Sequence, residues 1–164
     1  MAYLLDANVF IQAKNLHYGF DFCPAFWDWI DEQNAAKQVF SIERVGDELA
    51  AGDDELADWA KSRGEALFLT PDADMLTSLP KVSAWVSAQD YSPAAVNTFL
   101  QVADYYLTAR ALAHDDVVVT HEVAAQTVNK VKIPNACIGL GIKCMTPYEM
   151  LRAERARFVL GGHA

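Results

Sequence analysis

Apolar residues in this chain fall in short continuous runs rather than in strict alternation. Tyr3-Leu4-Leu5 stops at Asp6 and is too short for a helix, so it reads as a buried first strand. An aromatic stretch from Tyr18 to Trp29, with Phe26, Trp27, Trp29 and Ile30, predicts a helix packed by rings. Val39 to Ile42 is a second strand, Glu43 to Ala51 a helix stopping at Gly52, and Asp53 to Arg63 a helix with acids in its first turn. Leu67 to Thr70 is extended. Residues 72–89 are expected to be helical in pieces, interrupted by Pro80.

The clearest helix is expected over Pro93 to Ala113, with Ser92 as N-cap and Pro93 at the first helical position. Val96, Phe99, Leu100, Ala103, Leu107 and Ala111 share one face of it. Val117-Val118-Val119 is a further buried strand, Ile142 to Met145 a last one, and a basic helix starts at Pro147. Continuous apolar strands alternating with helices predict an α/β fold, a central parallel β-sheet with helices on both faces. In such sheets ligands bind beyond the carboxyl ends of the strands.

Length and composition narrow the class. The 164 residues suit one domain, 1–164, with 52% hydrophobic and 21% charged residues, as in a globular protein. No apolar run approaches the ~20 residues of a membrane span. The N-terminus lacks the basic start and apolar stretch of a signal peptide, so a cytoplasmic location is expected. Cys23, Cys137 and Cys144 form no Cys-x-x-Cys pair and are expected to be buried, inert thiols. Trp27, Trp29, Trp59 and Trp85 are expected to pack in the core or an interface.

The net charge of −9 argues against a nucleic-acid partner until its distribution is considered. Residues 1–122 hold 20 Asp/Glu against 7 Lys/Arg, whereas residues 123–164 hold 2 against 6. A basic C-terminal strip beside an acidic body suits a phosphate backbone held next to carboxylates. Lys130, Lys132 and Arg152 are the candidate contacts to such a nucleic-acid backbone.

Strand-end chemistry supplies the candidate site. Asp6 ends the first strand and Glu122 follows the Val117–Val119 strand, so both belong to the same sheet edge. Asp104 is expected inside the long helix, at the margin of its apolar face, where a carboxylate needs a partner. A fourth acid comes from the helix after the second strand, where Glu48 and Glu43 compete. Crowded carboxylates repel, and Mg²⁺ or Mn²⁺ removes that cost. Asn8 and Thr120 are then the groups that orient ligands or water. His121 is expected to be an exposed loop histidine, and His114, Asp115 and Asp116 a polar turn at the opposite sheet edge.

The segments 3–10 (YLLDANVF), 41–49 (SIERVGDEL), 103–112 (ADYYLTARAL) and 117–122 (VVVTHE) together resemble a PIN domain, in order and spacing and over the whole chain. The resemblance implies a three-layer α/β/α PIN-like fold and an acidic site holding Mg²⁺ or Mn²⁺. It further implies an endoribonuclease, the toxin of a type II toxin–antitoxin pair, with a cognate antitoxin and a homodimer as partners. Carried over, Asp6, Glu48, Asp104 and Glu122 are its four acids, with Glu43 in reserve for the second; Asp6, Asp104 and Glu122 are the metal ligands. The sequence departs from the pattern at Asn8, where Ser or Thr is common, and at Glu122, where Asp is usual. A helical segment at about 64–91 is expected as an insertion: a lid, a dimer surface or an antitoxin dock.

Two other functions fit parts of the pattern. One is a PIN-fold module, catalytically weak or inactive, that binds RNA or protein. The other is a haloacid-dehalogenase-like phosphatase, whose Asp-x-Asp motif meets Asn8 at its second position.

Overall fold

A computed structural model of the chain describes residues 1–161; the last three residues of the expected 1–164 domain lie outside the described residues. Strands β1 (Tyr3–Leu5), β2 (Val39–Ile42), β3 (Phe68–Leu69), β4 (Val117–Val119) and β5 (Cys144–Met145) form one sheet in the order β3-β2-β1-β4-β5. Every pairing is parallel, with Leu4 opposite Phe40 on one side and Val118 on the other. Successive strand residues point to opposite faces. Leu4 and Leu5 are nevertheless both buried, as are Val118 and Val119. Helices therefore cover both faces, and the fold is a three-layer α/β/α arrangement.

Helices α1 (Ala7–Gln12), α2 (Pro24–Ala35), α3 (Glu43–Ala50) and α4 (Glu55–Arg63) belong to the half of the chain that builds β1, β2 and β3. The chain then returns through α5 (Ala73–Ser87), α6 (Pro93–Gln101) and α7 (Ala103–His114) to place β4 on the other side of β1. Helix α8 (Ile133–Leu140) leads to β5, and α9 (Pro147–Ala153) follows. The strand order reverses between β1 and β4, and a crevice opens at the carboxyl ends of strands at such a switch point.

Three expectations change. Helix α5 runs unbroken through Pro80. Met75, Val82 and Val86 bury in a second core cluster, and the Tyr105 hydroxyl donates to the Leu79 carbonyl at 2.9 Å, beside the proline. That packing outweighs the roughly 3 kcal/mol an interior proline costs. The segment 64–91 is also integral to the layers, because it supplies the edge strand β3 and the α5 face that packs on α7.

The third change concerns the expected 93–113 helix, which is two helices. Val102 is extended (φ −109°, ψ 168°) between them. Phe99, before the break, joins the second cluster, while Leu107 and Ala111, after it, join the main core. The change of direction lets one apolar stripe serve both. Asp104 consequently lies in the first turn of α7, not in a helix interior.

The turn before β4 is as expected. Asp115 adopts a left-handed conformation (φ 55°), and the Asp116 carboxylate accepts from the Ala2 backbone at 3.1 Å, at the amino ends of β4 and β1. Trp27 and Trp59 are core residues in edge contact with one another.

Candidate functional site

Asp6 leaves β1 at the switch point and is only 5% exposed. It caps α1, because Oδ1 accepts from the Ala7 backbone at 2.8 Å. Its other oxygen, Oδ2, accepts from the Thr120 hydroxyl at 2.9 Å. A cap accounts for half of this carboxylate and the site for the rest. Burial above all, then the negative charges of Asp104 and Glu122, push its pKa up to about 7 despite the two hydrogen bonds.

Asp104 is half-buried at the start of α7. Burial first, then the charges of Glu122 and Glu48, push it up to about 6, against the pull of Lys130. Apart from its own backbone, no protein group donates to its carboxylate among the described residues; Arg110, one helix face away, turns to Asp72 (3.2 Å) and Asp116 (3.9 Å). Glu122 lies in the loop after β4. Its Oε2 accepts from the Ile133 backbone at 2.8 Å, and Oε1 stands 3.5 Å from Lys130 Nζ. It holds the start of α8, a partner its sequence neighbours do not announce.

Thr120 is the hub of the site. Its hydroxyl donates to Asp6 and accepts from Asn8 Nδ2 (3.2 Å) and the Glu122 backbone (3.0 Å). Asn8 Oδ1 in turn accepts from the His121 backbone at 3.2 Å. Thr120 thus bonds Asp6 directly, and Asn8 bonds Thr120.

The two competitors for the fourth acid line different hollows. Glu48 faces a hollow of about 620 Å³ shared with Asp104, Lys130 and Arg44, and its charge reaches Asp104. Glu43 lines a separate hollow with Gly46, Ala60 and Phe68. Arg44 lies over the Tyr106 ring at 3.7 Å, which fixes the guanidinium beside Glu48's hollow.

Of the basic candidates, Lys130 is at the acids. Lys132 is the N-cap residue of α8, and Arg152 sits on α9, where its charge acts on the Tyr18 hydroxyl. Neither makes an ion pair among the described residues.

His121 is half-buried rather than exposed. Its ring lies 5.4 Å from His17 and 5.5 Å from Tyr148, and the Tyr148 hydroxyl is 2.9 Å from His17 Nε2. Burial, and then His17, hold the His121 pKa below the usual histidine range. His17 closes a π-helical turn, Ala13–His17, in which the Tyr18 backbone donates to the Ala13 carbonyl at 2.7 Å. Such turns concentrate at functional sites. Nothing in the hydrophobic periodicity marks this turn, so His17 and Tyr148 were not legible as site neighbours. Among the thiols, Cys137 is buried, whereas Cys23 and Cys144 are half-buried.

The donor set suits a hard divalent cation. Two carboxyls are held up by burial and by neighbouring carboxylates, and oxygen ligands of this kind are what Mg²⁺ and Mn²⁺ take. Among the described residues, no three His, Cys, Asp or Glu side chains close tightly enough to grip an ion unaided. Mg²⁺ commonly binds through one or two carboxylates and keeps several waters.

Fold and site together define a three-layer α/β protein with neighbouring, partly buried carboxylates at the switch point of a parallel sheet. The chain belongs to the family described as Domain of unknown function (DUF4411), whose family model matches residues 3–158. No curated protein and no solved structure matches it.

Proposed function

We propose that this protein is a PIN-like, Mg²⁺- or Mn²⁺-dependent endoribonuclease that hydrolyses RNA phosphodiester bonds. The observation that carries the reading is the pair of carboxyls at the β1–β4 switch point, Asp6 and Asp104, each pushed far above the carboxylate range and flanked by Glu122. Buried acids that repel one another are costly, and at a crevice they mark a functional site.

Asp6, Asp104 and Glu122 would hold the ion, with Glu48 at the outer wall. When bound, the ion supplies positive charge for the phosphate and lowers the pKa of a water for attack. Thr120 keeps Asp6 oriented, with Asn8 bonded to the same hydroxyl. Lys130, 60% exposed on its side chain, is free to swing from Glu122 to a phosphate oxygen. On this reading the partners are an RNA and, for a type II toxin, a cognate antitoxin; a homodimer belongs to the same expectation. The phosphatase reading loses ground, because Asn8, at the place of the acid/base, is committed to Thr120 and the His121 backbone.

The test is RNA cleavage in Mn²⁺ by wild type, Asp6→Ala and Asp104→Ala, each purified identically. Both variants should lose nearly all cleavage, and chelation should abolish it in wild type. Variants that cleave like wild type would end the ribonuclease reading.

A further inference from the structure

On the far side of Asp104 and Lys130 lies a second, smaller hollow of about 260 Å³. Ala95, Phe99, Val102 and Val131 form its apolar walls, and Thr98 and Asn129 bring polar side chains to it. Neither the Thr98 hydroxyl nor the Asn129 amide has a hydrogen-bond partner among the described residues; Asn129 is bonded only through its backbone, to Thr127. Both hollows share Thr98, Val102, Asp104 and Lys130. The extended Val102 between α6 and α7 is the common rim, so the helix break opens one hollow onto the other.

From this arrangement we infer that the smaller hollow is a subsite for one nucleobase of the RNA, adjacent to the scissile phosphate and read by Thr98 and Asn129. The inference rests on the ribonuclease reading. Its volume lies just under the ~300 Å³ at which pockets for drug-sized ligands begin, which suits a single ring system. Val102, 39% exposed, offers an apolar surface for a base face, with Phe99 backing the hollow from the core, and single-stranded RNA is recognised by bases splayed out of the stack. A side-chain amide matches the paired donor and acceptor of a base edge, and a hydroxyl adds either. Lys130 at the rim supplies the cation for the linking phosphate, and Asp104 begins the acidic crevice beyond it. A bare anion has no use for the apolar walls, and an aliphatic side chain has none for the Thr98 hydroxyl and the Asn129 amide.

Thr98 and Asn129 are exposed, so substitutions there spare the core. The full chain, free of divalent ions, is titrated with AMP, CMP, GMP and UMP while the amides of Ala95, Val102 and Val131 are followed by NMR. One nucleotide should shift these amides preferentially, and Thr98→Trp, which fills the hollow, should weaken that response at least tenfold with the thermal midpoint retained. In Mn²⁺, cleavage of an RNA with randomised positions should show a base preference beside the cut that Asn129→Ala reduces by roughly tenfold, in line with the discrimination a base-edge pair carries. Nucleotides that leave the three amides unmoved, or move them equally in Thr98→Trp, overturn the subsite. If nucleotides seat there but wild type cleaves no RNA, the base site stands and the ribonuclease reading falls. If RNA is cleaved with a preference that Asn129→Ala leaves intact, the subsite falls and the ribonuclease reading stands.

Discussion

Replacing Asp6 by Asn should make the metal-free protein more stable, although it removes the centre of the site. The Asp6 carboxyl is buried and its pKa is raised from 3.8 to about 7. That change corresponds to roughly 4 kcal/mol. The folded state holds the proton more tightly than the unfolded chain does, so between pH 4 and 7 the native state binds more protons. Stability therefore falls as pH rises from about 4, and the full penalty is present above about 7.

Asn carries no charge, escapes the penalty, and can still accept from the Ala7 backbone through its Oδ1. It loses the acceptor for the Thr120 hydroxyl, which costs about 1 kcal/mol or somewhat more. The expected net gain is about 2–3 kcal/mol at pH 8. For a chain of this size, the thermal midpoint should rise by roughly 5–10 °C.

Thermal unfolding followed by circular dichroism in EDTA, at steps from pH 4 to 8, measures the effect. The advantage of Asp6→Asn should be largest at pH 7–8 and shrink toward pH 4. Added Mn²⁺ should then stabilise wild type, by about 2.7 kcal/mol at a hundredfold excess over Kd, and leave the variant unmoved. A variant no more stable than wild type at pH 8, or an advantage independent of pH, would refute the argument that burial and carboxylate repulsion dominate at Asp6.

Two further outcomes follow from neighbouring features. Thr120→Val removes the donor to Asp6 and two accepted bonds at nearly constant shape. It should raise the Asp6 pKa further and weaken Mn²⁺ binding by calorimetry roughly 10- to 100-fold, the usual loss when a residue orienting a ligand is removed. Gly139→Ala should destabilise the fold by about 1–3 kcal/mol in urea unfolding, because the new methyl would overlap the Trp85 ring where α8 meets α5; an unchanged midpoint would show that the ring moves freely.

The sheet was legible because its strands are buried on both faces. Val117-Val118-Val119 and Tyr3-Leu4-Leu5 carry enough apolar density to be read without partners, and the strand-end position of Asp6 and Glu122 follows from them. Their convergence with Asp104 was also legible, but for an incomplete reason. Asp104 stands in the first turn of its helix because Val102 breaks the run, and an apolar stripe shared between two cores looks identical to one continuous face. Pro80 misled in the opposite direction, since tertiary packing on α7 overrides its local cost. The Glu122 bond to Ile133 and the His17–Tyr148 contact span 11 and 131 residues, and no local pattern encodes a pairing of that kind.

The parallel pairing of β1 with β4 also governs when the site can exist. Asp6 meets its hydroxyl partner Thr120 across 114 positions of sequence. At translation rates of 5–20 residues per second, roughly 6–23 s separate the synthesis of those two residues. During that interval β1 has only β2 beside it, and the carboxylate has neither Thr120 nor Glu122 near it. A nascent chain emerging among ribosomal and messenger RNA therefore lacks the acidic crevice until most of the domain has been made. Activity, on the ribonuclease reading, is withheld by topology from the moment of synthesis until the central strand gains its second neighbour.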